Sequence, residues 1–273
     1  KPAAGMEAMK WDMGGAGAVA GAMKTLATRK AKANVVGICG LVENMPGGNA
    51  QRPGDVVKAM NGMTVEVTNT DAEGRLILAD AMTWAEQQGA SHIVDIATLT
   101  GAQAIAFGDQ VSAYFARPRE WGERVGAAAE KAGEWFWEMP LVTEYRTSYD
   151  SPYADIVNSG SRDGSLIKSA IFLAEFAKVP WVHIDIAGTA WSKEDRALDQ
   201  HSFGRNDGEG GRVRLSLWNH PGVIVTPHSA GRGEGHRRGP RHRPGLGPVP
   251  DAGRAPARSG RRPHRNCKPA GGG

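Results

Sequence analysis

The sequence predicts an α/β fold, a three-layer domain in which helices flank a mixed, largely parallel sheet. Short apolar runs rich in β-branched residues alternate with longer helical segments through residues 1–200. These runs are continuous, as in strands that are buried on both faces. The length of 273 residues and the hydrophobic content of 40% are typical of a globular chain with a sizeable core.

The elements before residue 90 begin with an Ala-rich helix and a buried strand. A hairpin follows, because Asn61-Gly62 is a pair that tolerates the positive φ of a type I′ turn. A second helix ends at Gly89, a residue type that commonly terminates helices. The predicted bounds are Met13–Ala31 for the first helix, Val35–Val42 for the strand, Asp55–Asn69 for the hairpin and Leu76–Gln88 for the second helix.

The elements after residue 90 continue the alternation of strand and helix. Apolar runs predict two short buried strands, and two segments between them have a helical pattern. In chain order these are the strand His92–Thr98, the helices Glu120–Gly133 and Ser165–Lys178, and the strand Trp181–Ala187. We expect His92 and His183 to be satisfied core residues rather than metal ligands.

The character of the chain changes near residue 200. Residues 201–273 hold 14 basic and 4 acidic residues, and they lose the apolar periodicity of residues 1–200. A segment rich in Arg, Gly and Pro buries too little surface to offset chain entropy, so we expect a disordered tail after a domain at 1–200. Its 13 Arg against one Lys suggest a shifted reading frame in GC-rich DNA. The alternative is a genuine basic tail that binds nucleic acid through phosphates.

Asp71-Ala72-Glu73 is the first candidate for chemistry. Residues two apart point to the same side of an extended backbone, so we expect both carboxylates to face one site. Asn69 and Arg75 continue the same alternation, and the helix from Leu76 places the acidic pair at a strand-to-helix junction. A solvated acidic loop is the alternative interpretation of so short a motif.

Asp12 and Arg75 are further charged candidates. Asp12 precedes the Ala-rich helix, where an N-cap is the alternative role. Three carboxylates without a nearby histidine or cysteine suit Mn, Mg or Zn ions. Two such ions can clamp a substrate and bind a nucleophilic hydroxide. Arg75 is expected either to neutralise one carboxylate or to bind an anion beside the metals.

Four segments in order resemble the leucyl aminopeptidase family of peptidases, also called cytosol aminopeptidases. Asn69 to Leu76 reproduces the signature octapeptide of that family without a mismatch. The other three segments resemble the family's metal-ligand turn, its substrate-pocket strand and its late strand. They are Met6 to Gly15, Asp95 to Ala102 and Trp181 to Ala190, so the resemblance covers about residues 1–198.

The resemblance implies two divalent metal ions per subunit, Mn or Zn, and a role for each matching residue. Asp12 matches a ligand of the tighter metal, Asp71 a ligand of the more exchangeable metal, and Glu73 the bridging carboxylate. Arg75 falls on the arginine that holds a bicarbonate ion, and Lys1 falls on the lysine that polarises the scissile carbonyl. The positions that match substrate contacts are Met9, Asn69, Thr98, Gly101 and Ala190.

The function implied by the resemblance is release of N-terminal residues, preferably Leu-like, from peptides through a water activated by two metals. A homo-oligomer, commonly a hexamer, and a cytoplasmic location are also implied. The two distant cysteines, Cys39 and Cys267, suit a reducing compartment. No run of about 18 apolar residues occurs, so no membrane-spanning helix is predicted.

The sequence departs from the family pattern at its beginning. In the family, a Lys-Gly-x-x-x-Asp-Ser-Gly-Gly stretch precedes the position of Lys1, and it supplies two further metal ligands. Because the chain also starts without an initiator Met, we interpret it as part of a longer protein and expect this polypeptide to be inactive or weakly active. The alternatives are a DNA-binding protein that uses the basic tail and a non-catalytic assembly subunit on the same fold.

Overall fold

A six-stranded mixed sheet with helices on both faces forms the centre of the fold. The computed structural model describes residues 6–190 and 222–229, which belong to a compact unit that extends from Lys1 to Glu234. The second unit, Gly235–Gly273, lies outside the described residues. Lys1 also lies outside them.

The helices and strands follow the alternation that the sequence predicts. Two 3-10 helices lie at Met6–Met13 (η1) and Thr143–Tyr149 (η2). The α-helices are α1 Gly14–Thr28, α2 Gly74–Gln87, α3 Gly101–Phe107, α4 Arg119–Ala132 and α5 Ser165–Ala174. The strands are β1 Val35–Val42, β2 Val56–Lys58, β3 Thr64–Glu66, β4 Ile93–Ala97, β5 Val111–Arg117, β6 Trp135–Glu138, β7 Ile156–Val157, β8 Trp181–Asp185 and β9 Gly222–Ser229.

The strand order in the main sheet is β1-β9-β4-β8-β5-β6. All neighbouring pairs are parallel except β5 with β8, which are antiparallel. The sheet is therefore mixed and largely parallel, as predicted. A second sheet of three short strands has the order β2-β3-β7, in which β3 pairs antiparallel with β2 and parallel with β7.

Two apolar cores lie on opposite faces of the main sheet. Successive side chains of a strand point to opposite faces, and Val94 and Val182 accordingly pack with residues of α1 and α4. Ile93 and Trp181 pack on the other face with residues of α2 and α5 and with the small sheet. This arrangement confirms the three-layer prediction.

Strand β1 has the predicted bounds, but the expectation that it is buried is wrong. Its side chains are half-buried or exposed, and Leu41 is 65% exposed. The reason is its place at the edge of the sheet formed by the described strands, among which only β9 pairs with it. A continuous apolar run therefore does not by itself distinguish an edge strand from a central one.

The hairpin β2–β3 is also confirmed, with a different turn. Gly62 has φ +96°, whereas Asn61 is not among the described residues with positive φ, so the turn is not type I′. The Gly62 N–H donates to the carbonyl of Ala59, and Ala59 N–H donates to the carbonyl of Met63. These bonds define a three-residue loop with glycine in the left-handed position. The Asn61 side chain accepts a hydrogen bond from Met63 N–H at 3.0 Å.

Residues 222–229 differ from the expected disordered tail. They form β9, which pairs in parallel with β1 and β4 in the main sheet. The run Val223-Ile224-Val225-Thr226 is β-branched throughout, and such residues favour strands. The remaining residues of the predicted tail lie outside the described residues. No helix in residues 6–190 is both long and apolar enough to cross a membrane.

Candidate functional site

A pocket of about 290 Å³ opens where four separate segments of the chain meet. It lies at the carboxyl ends of β4 and β8, beside the N-terminus of α2 and the end of η1. The carboxyl ends of parallel strands in open α/β sheets are a common position for ligand sites. The lining residues are Met9, Trp11, Asp12, Asp71, Ala72, Glu73, Gly74, Arg75, Ala97, Thr98, Leu99, Gly101, Ala104 and Ala187.

The loop that carries Asp71 and Glu73 is a turn that leads directly into α2. The side chain of Asn69 accepts a hydrogen bond from Asp71 N–H at 2.9 Å, and Ala72 N–H donates to the carbonyl of Asn69 at 3.1 Å. Glu73 has φ −74° and ψ −33° and is the N-cap residue of α2. The predicted extended alternation is therefore wrong, because asparagine and helix geometry curl the chain here. Both carboxylates still line the same pocket.

Asp12 reaches the same pocket from η1. Its carboxylate accepts a hydrogen bond from Thr98 Oγ1 at 2.7 Å, and its backbone carbonyl lies 3.2 Å from the same hydroxyl. The N-cap of α1 is Met13, and no side chain caps that helix. The alternative role of Asp12 as a helix cap is thus wrong, and Thr98 instead ties Asp12 to the end of β4.

Arg75 is buried at the base of the pocket and has neutral hydrogen-bond acceptors. Its Nη1 donates to the Tyr149 hydroxyl at 3.1 Å and to the Asn158 carbonyl at 3.0 Å, and its Nη2 donates to Ser169 Oγ at 2.8 Å. Among the described residues, Arg75 has no ion pair with a carboxylate, and its buried Nε has no hydrogen-bond partner. The salt-bridge alternative is therefore wrong for this part of the chain. A buried guanidinium without a counter-ion is costly, and an anion would lower that cost.

Three ionisable residues of β4 and β8 are fully buried next to the pocket: Asp95, His183 and Asp185. Asp95 accepts a hydrogen bond from Trp181 Nε1 at 2.6 Å and pairs with His183 Nδ1 at 2.5 Å. Burial lowers the pKa of His183, but the charge and hydrogen bond of Asp95, together with the charge of Asp185, outweigh it, so the net pKa is raised. His183 is thus a satisfied core histidine, as predicted.

Asp185 joins the loops that follow β4 and β8. Its carboxylate accepts hydrogen bonds from Thr100 Oγ1 at 2.7 Å, Leu99 N–H at 3.2 Å and Ala187 N–H at 3.1 Å. Burial raises the pKa of Asp185, while His183 and the hydrogen bonds from Thr100 and Ala187 oppose the rise. Leu99 and Ala187 both line the pocket, so this carboxylate fixes the shape of one pocket wall.

Most of the site residues chosen from the sequence lie around this pocket. Asp12, Asp71, Glu73, Arg75, Met9, Thr98 and Gly101 line it. Asn69 and Ala190 are not among the lining residues. Asn69 holds the Asp71 turn, and Ala190 is buried against Gly14, where an added Cβ would lie 3.0 Å from the Ala190 Cβ. Lys1 lies outside the described residues, and every assigned role stays a prediction.

The sequence does not predict the buried residues that hold the site residues in place through hydrogen bonds. Tyr149, Asn158 and Ser169 hold Arg75, and Asp185 holds the pocket wall. Asn158 lies in a segment without a periodic pattern, and no sequence signal points to it. Asp95 and Asp185 did carry a signal, because a carboxylate within a continuous apolar strand must be buried and satisfied.

The donor set fits hard or borderline divalent ions. Asp12, Asp71 and Glu73 offer carboxylate oxygens to one pocket, and oxygen ligands of this type suit Mn, Mg and Zn. The described side chains do not by themselves form a group of three His, Cys, Asp or Glu close enough to hold a metal. The chemistry of the three acids therefore fits a metal site that needs additional ligands or a closer approach of these carboxylates.

Comparisons with known proteins identify the family. The model of the "Cytosol aminopeptidase family, catalytic domain" matches residues 1–216. A protein of Solibacter usitatus named "Probable cytosol aminopeptidase" is 54% identical over 197 residues, which are 72% of this chain and 41% of that protein. A protein of the same name from Caulobacter vibrioides is 51% identical over 195 residues, 71% of this chain and 40% of that protein.

A solved structure gives the same result for the fold. A mutant of tomato leucine aminopeptidase matches with a TM-score of 0.66 and 39% identity, and the match covers 77% of this chain and 40% of that one. The chain thus spans about two fifths of the length of the relatives that it matches. The extent of the family match and the level of identity show that this chain belongs to the cytosol aminopeptidase family.

Proposed function

We propose that this chain supplies catalytic-domain residues of a metal-dependent aminopeptidase that releases N-terminal, preferably Leu-like residues from peptides. One observation supports this most directly: Asp12 lines the same pocket as Asp71, Glu73 and Arg75, although it is far from that motif along the chain. The names of the matched relatives support the same reaction class. Peptide substrates, metals and oligomeric state are parts of this proposal.

Asp12, Asp71 and Glu73 would hold the metal ions. Two divalent cations, Mn or Zn, would lower the pKa of a bound water and would supply positive charge that stabilises the developing oxyanion. The described residues prepare this site in two ways. Thr98 orients the Asp12 carboxylate, and the turn at Asn69 presents Asp71 at the rim while Glu73 stays buried at the helix start.

Arg75 would bind an anion next to the acidic residues. Its two terminal nitrogens are held by Tyr149, Asn158 and Ser169, so the guanidinium plane is fixed before any ligand arrives. A fixed guanidinium presents a planar set of donors that suits a carboxylate-like ion. Bicarbonate, whose role would be to accept and return a proton, has this shape and charge. Lys1 would add positive charge at the substrate carbonyl.

The remaining pocket wall favours an apolar side chain on the substrate. Met9, Ala97, Leu99 and Ala104 contribute apolar atoms, and Thr98, which donates to the Asp12 carboxylate, also lines the pocket. Burial of a Leu-like side chain against such a wall would stabilise the bound peptide by about 1.5–3 kcal/mol. A free N-terminal amine, which can bind a metal ion, would restrict cleavage to the first residue.

A hexameric assembly and a cytoplasmic location are further parts of the proposal, and the family name and the resemblance support them. We also propose that this polypeptide alone turns over weakly, because it contributes three of the five metal ligands of the family. The nucleic-acid-binding alternative rests on residues 201–273. Apart from β9, these lie outside the described residues, and no comparison supports that alternative.

Metal binding tests the proposal. Mn²⁺ is titrated by calorimetry into the chain and into Asp71→Asn, with Asp163→Asn at an exposed position as the matched control. We expect a saturable Mn²⁺ site in the parent and in the control, and binding at least about tenfold weaker in Asp71→Asn. Release of p-nitroaniline from a leucyl anilide is then measured with Mn²⁺, for this chain and for a polypeptide that also carries the upstream ligand stretch. Equal Mn²⁺ binding by Asp71→Asn, or no release by the longer polypeptide, would contradict the proposal.

A further inference from the structure

The side chain of Asn158 holds the loop that carries Asp71. Asn158 is fully buried, directly after β7. Its Nδ2 donates to the carbonyls of Asn69 at 2.7 Å and Ala72 at 3.3 Å. Its Oδ1 accepts from the N–H groups of Thr68 at 2.9 Å and Asn69 at 3.1 Å. One amide thus spans the turn from Thr68 to Ala72.

The backbone of Asn158 links this turn to the anion-binding side of the pocket. Its carbonyl accepts a hydrogen bond from Arg75 Nη1 at 3.0 Å, and its N–H donates to the Glu66 carbonyl at 2.8 Å. The pairing of β7 with β3 fixes the position of Asn158. The positions of the Asp71 turn and of Arg75 therefore both depend on hydrogen bonds to one buried residue, Asn158.

Asn44 holds the same turn from the other side. Its Nδ2 donates to the carbonyl of Thr70 at 3.0 Å. Two asparagine side chains together occupy the carbonyls of Asn69, Thr70 and Ala72, and the side chain of Asn69 occupies the N–H of Asp71. These hydrogen bonds restrict the backbone on both sides of Asp71 and so fix the position from which its side chain extends.

We propose that Asn158, assisted by Asn44, is a positioning residue that fixes the Asp71 carboxylate relative to Arg75. This inference rests on the proposed function, because the carboxylate that it positions is a proposed metal ligand. Only an amide provides donors and an acceptor in one plane at this site. An aspartate at 158 would turn a carboxylate oxygen toward two backbone carbonyls, and a leucine would remove the side-chain partner from four backbone groups.

The test separates a change in the turn from a change in metal binding. Asn158→Asp and Asn44→Asp are compared with Asn61→Asp, which makes the same chemical change in the β2–β3 turn and keeps the acceptor for Met63 N–H. Amide hydrogen exchange is measured at Thr68, Asn69 and Asp71 and, as an internal reference, in β4. Mn²⁺ affinity is measured on the same samples of the full chain.

In Asn158→Asp we expect amide exchange at the turn to become faster while exchange in β4 stays as in the parent. We also expect Mn²⁺ binding to weaken about 10- to 100-fold, the effect of removing a hydrogen-bond partner of a metal ligand. Asn44→Asp should show a smaller change in the same direction, and it carries the test if Asn158→Asp does not fold. Unchanged exchange at the turn would overturn the inference, as would unchanged Mn²⁺ affinity in a variant that is merely less stable. If the parent binds no Mn²⁺, the proposed function fails, and hydrogen exchange alone decides whether Asn158 holds the turn.

Discussion

The hydroxyl of Tyr149 accepts a hydrogen bond from Nη1 of Arg75 at 3.1 Å, in a part of the core where both side chains are buried. Burial raises the pKa of this phenol, and the nearby guanidinium and hydrogen bonds oppose the rise. The phenol therefore remains neutral and serves Arg75 as an acceptor. Within residues 6–190, Arg75 is held in the core by bonds of this kind and has no ion pair with a carboxylate.

Replacement of Tyr149 by phenylalanine should lower the free energy of unfolding by about 1.5–3 kcal/mol, the usual range for a hydrogen bond to a charged group. The aromatic packing of the ring against Phe172 is retained, with ring centroids 5.7 Å apart. Urea denaturation measures the effect. Tyr153→Phe is the matched control, because Tyr153 is 78% exposed. Equal midpoints for the two variants would show that the Tyr149 hydroxyl does not stabilise Arg75.

Gly188 should not tolerate a side chain. A Cβ at this position would lie 2.1 Å from the Gly108 carbonyl and 2.7 Å from Gln103 Oε1, and Gly188 N–H donates to that same Oε1. Gly188→Ala should therefore lower the free energy of unfolding by about 1–3 kcal/mol or more, as measured by thermal and urea denaturation. Gly47→Ala is the control, since nothing lies within 4 Å of its added Cβ. A Gly188→Ala variant as stable as the control would refute this packing argument.

The pair Asp95–His183 should make the stability of the fold depend on pH. The folded-state pKa of His183 is raised by Asp95 against the opposing effect of burial. The stabilisation that protonated His183 contributes to the fold is therefore complete below the ordinary histidine pKa of about 6.5. It is lost as the pH rises through the folded-state pKa of His183. The free energy of unfolding of the parent should fall as the pH rises above about 6.5. His183→Gln should lack this pH-dependent part of the free energy of unfolding. Urea denaturation at several pH values from 6 to about 9 compares them; parallel pH profiles would contradict the prediction.

The turn at Gly62 offers a test of the observed hairpin geometry. Gly62→Ala should cost about 1–2 kcal/mol, because its φ of +96° is unfavourable for residues with a Cβ. Asn61→Gly, which a type I′ turn would tolerate, should also destabilise the chain, since it removes the acceptor for Met63 N–H. Thermal denaturation of both variants distinguishes the two turns. If Asn61→Gly proved stabilising, the type I′ geometry would be favoured instead.

Much of the fold follows from local patterns in the sequence. The apolar runs that became β4 and β8 are central strands, and every residue in them is buried. The runs that became β5 and β6 were not recognised. In β6, Trp135 and Trp137 are exposed at the sheet edge, and such a short segment has little periodicity to detect. The exposure of β1 depends on which strand pairs with it, and strand order is a tertiary property that a local pattern does not contain.

The acidic residues of the candidate site could be predicted from the sequence, but the residues that hold them in place could not. Asp71 and Glu73 were found because they are adjacent in one motif. The argument that extended backbone aligns them was wrong, since Asn69 turns the chain and Glu73 starts a helix. Asn158 is far from that motif along the chain, and it becomes its neighbour only through the pairing of β7 with β3. No local pattern records such a contact.

The pocket draws its walls from segments as far apart along the chain as Met9 and Ala187, with α2 and β4 between them. Contacts over such long separations form only after much loop-closure entropy has been overcome. The pocket is therefore complete only when all of these distant segments have reached their native positions. A ligand that binds there would select molecules whose topology is already correct, and it would stabilise them by mass action. Ligand affinity at this site would then also report how much of the chain population has reached the native state.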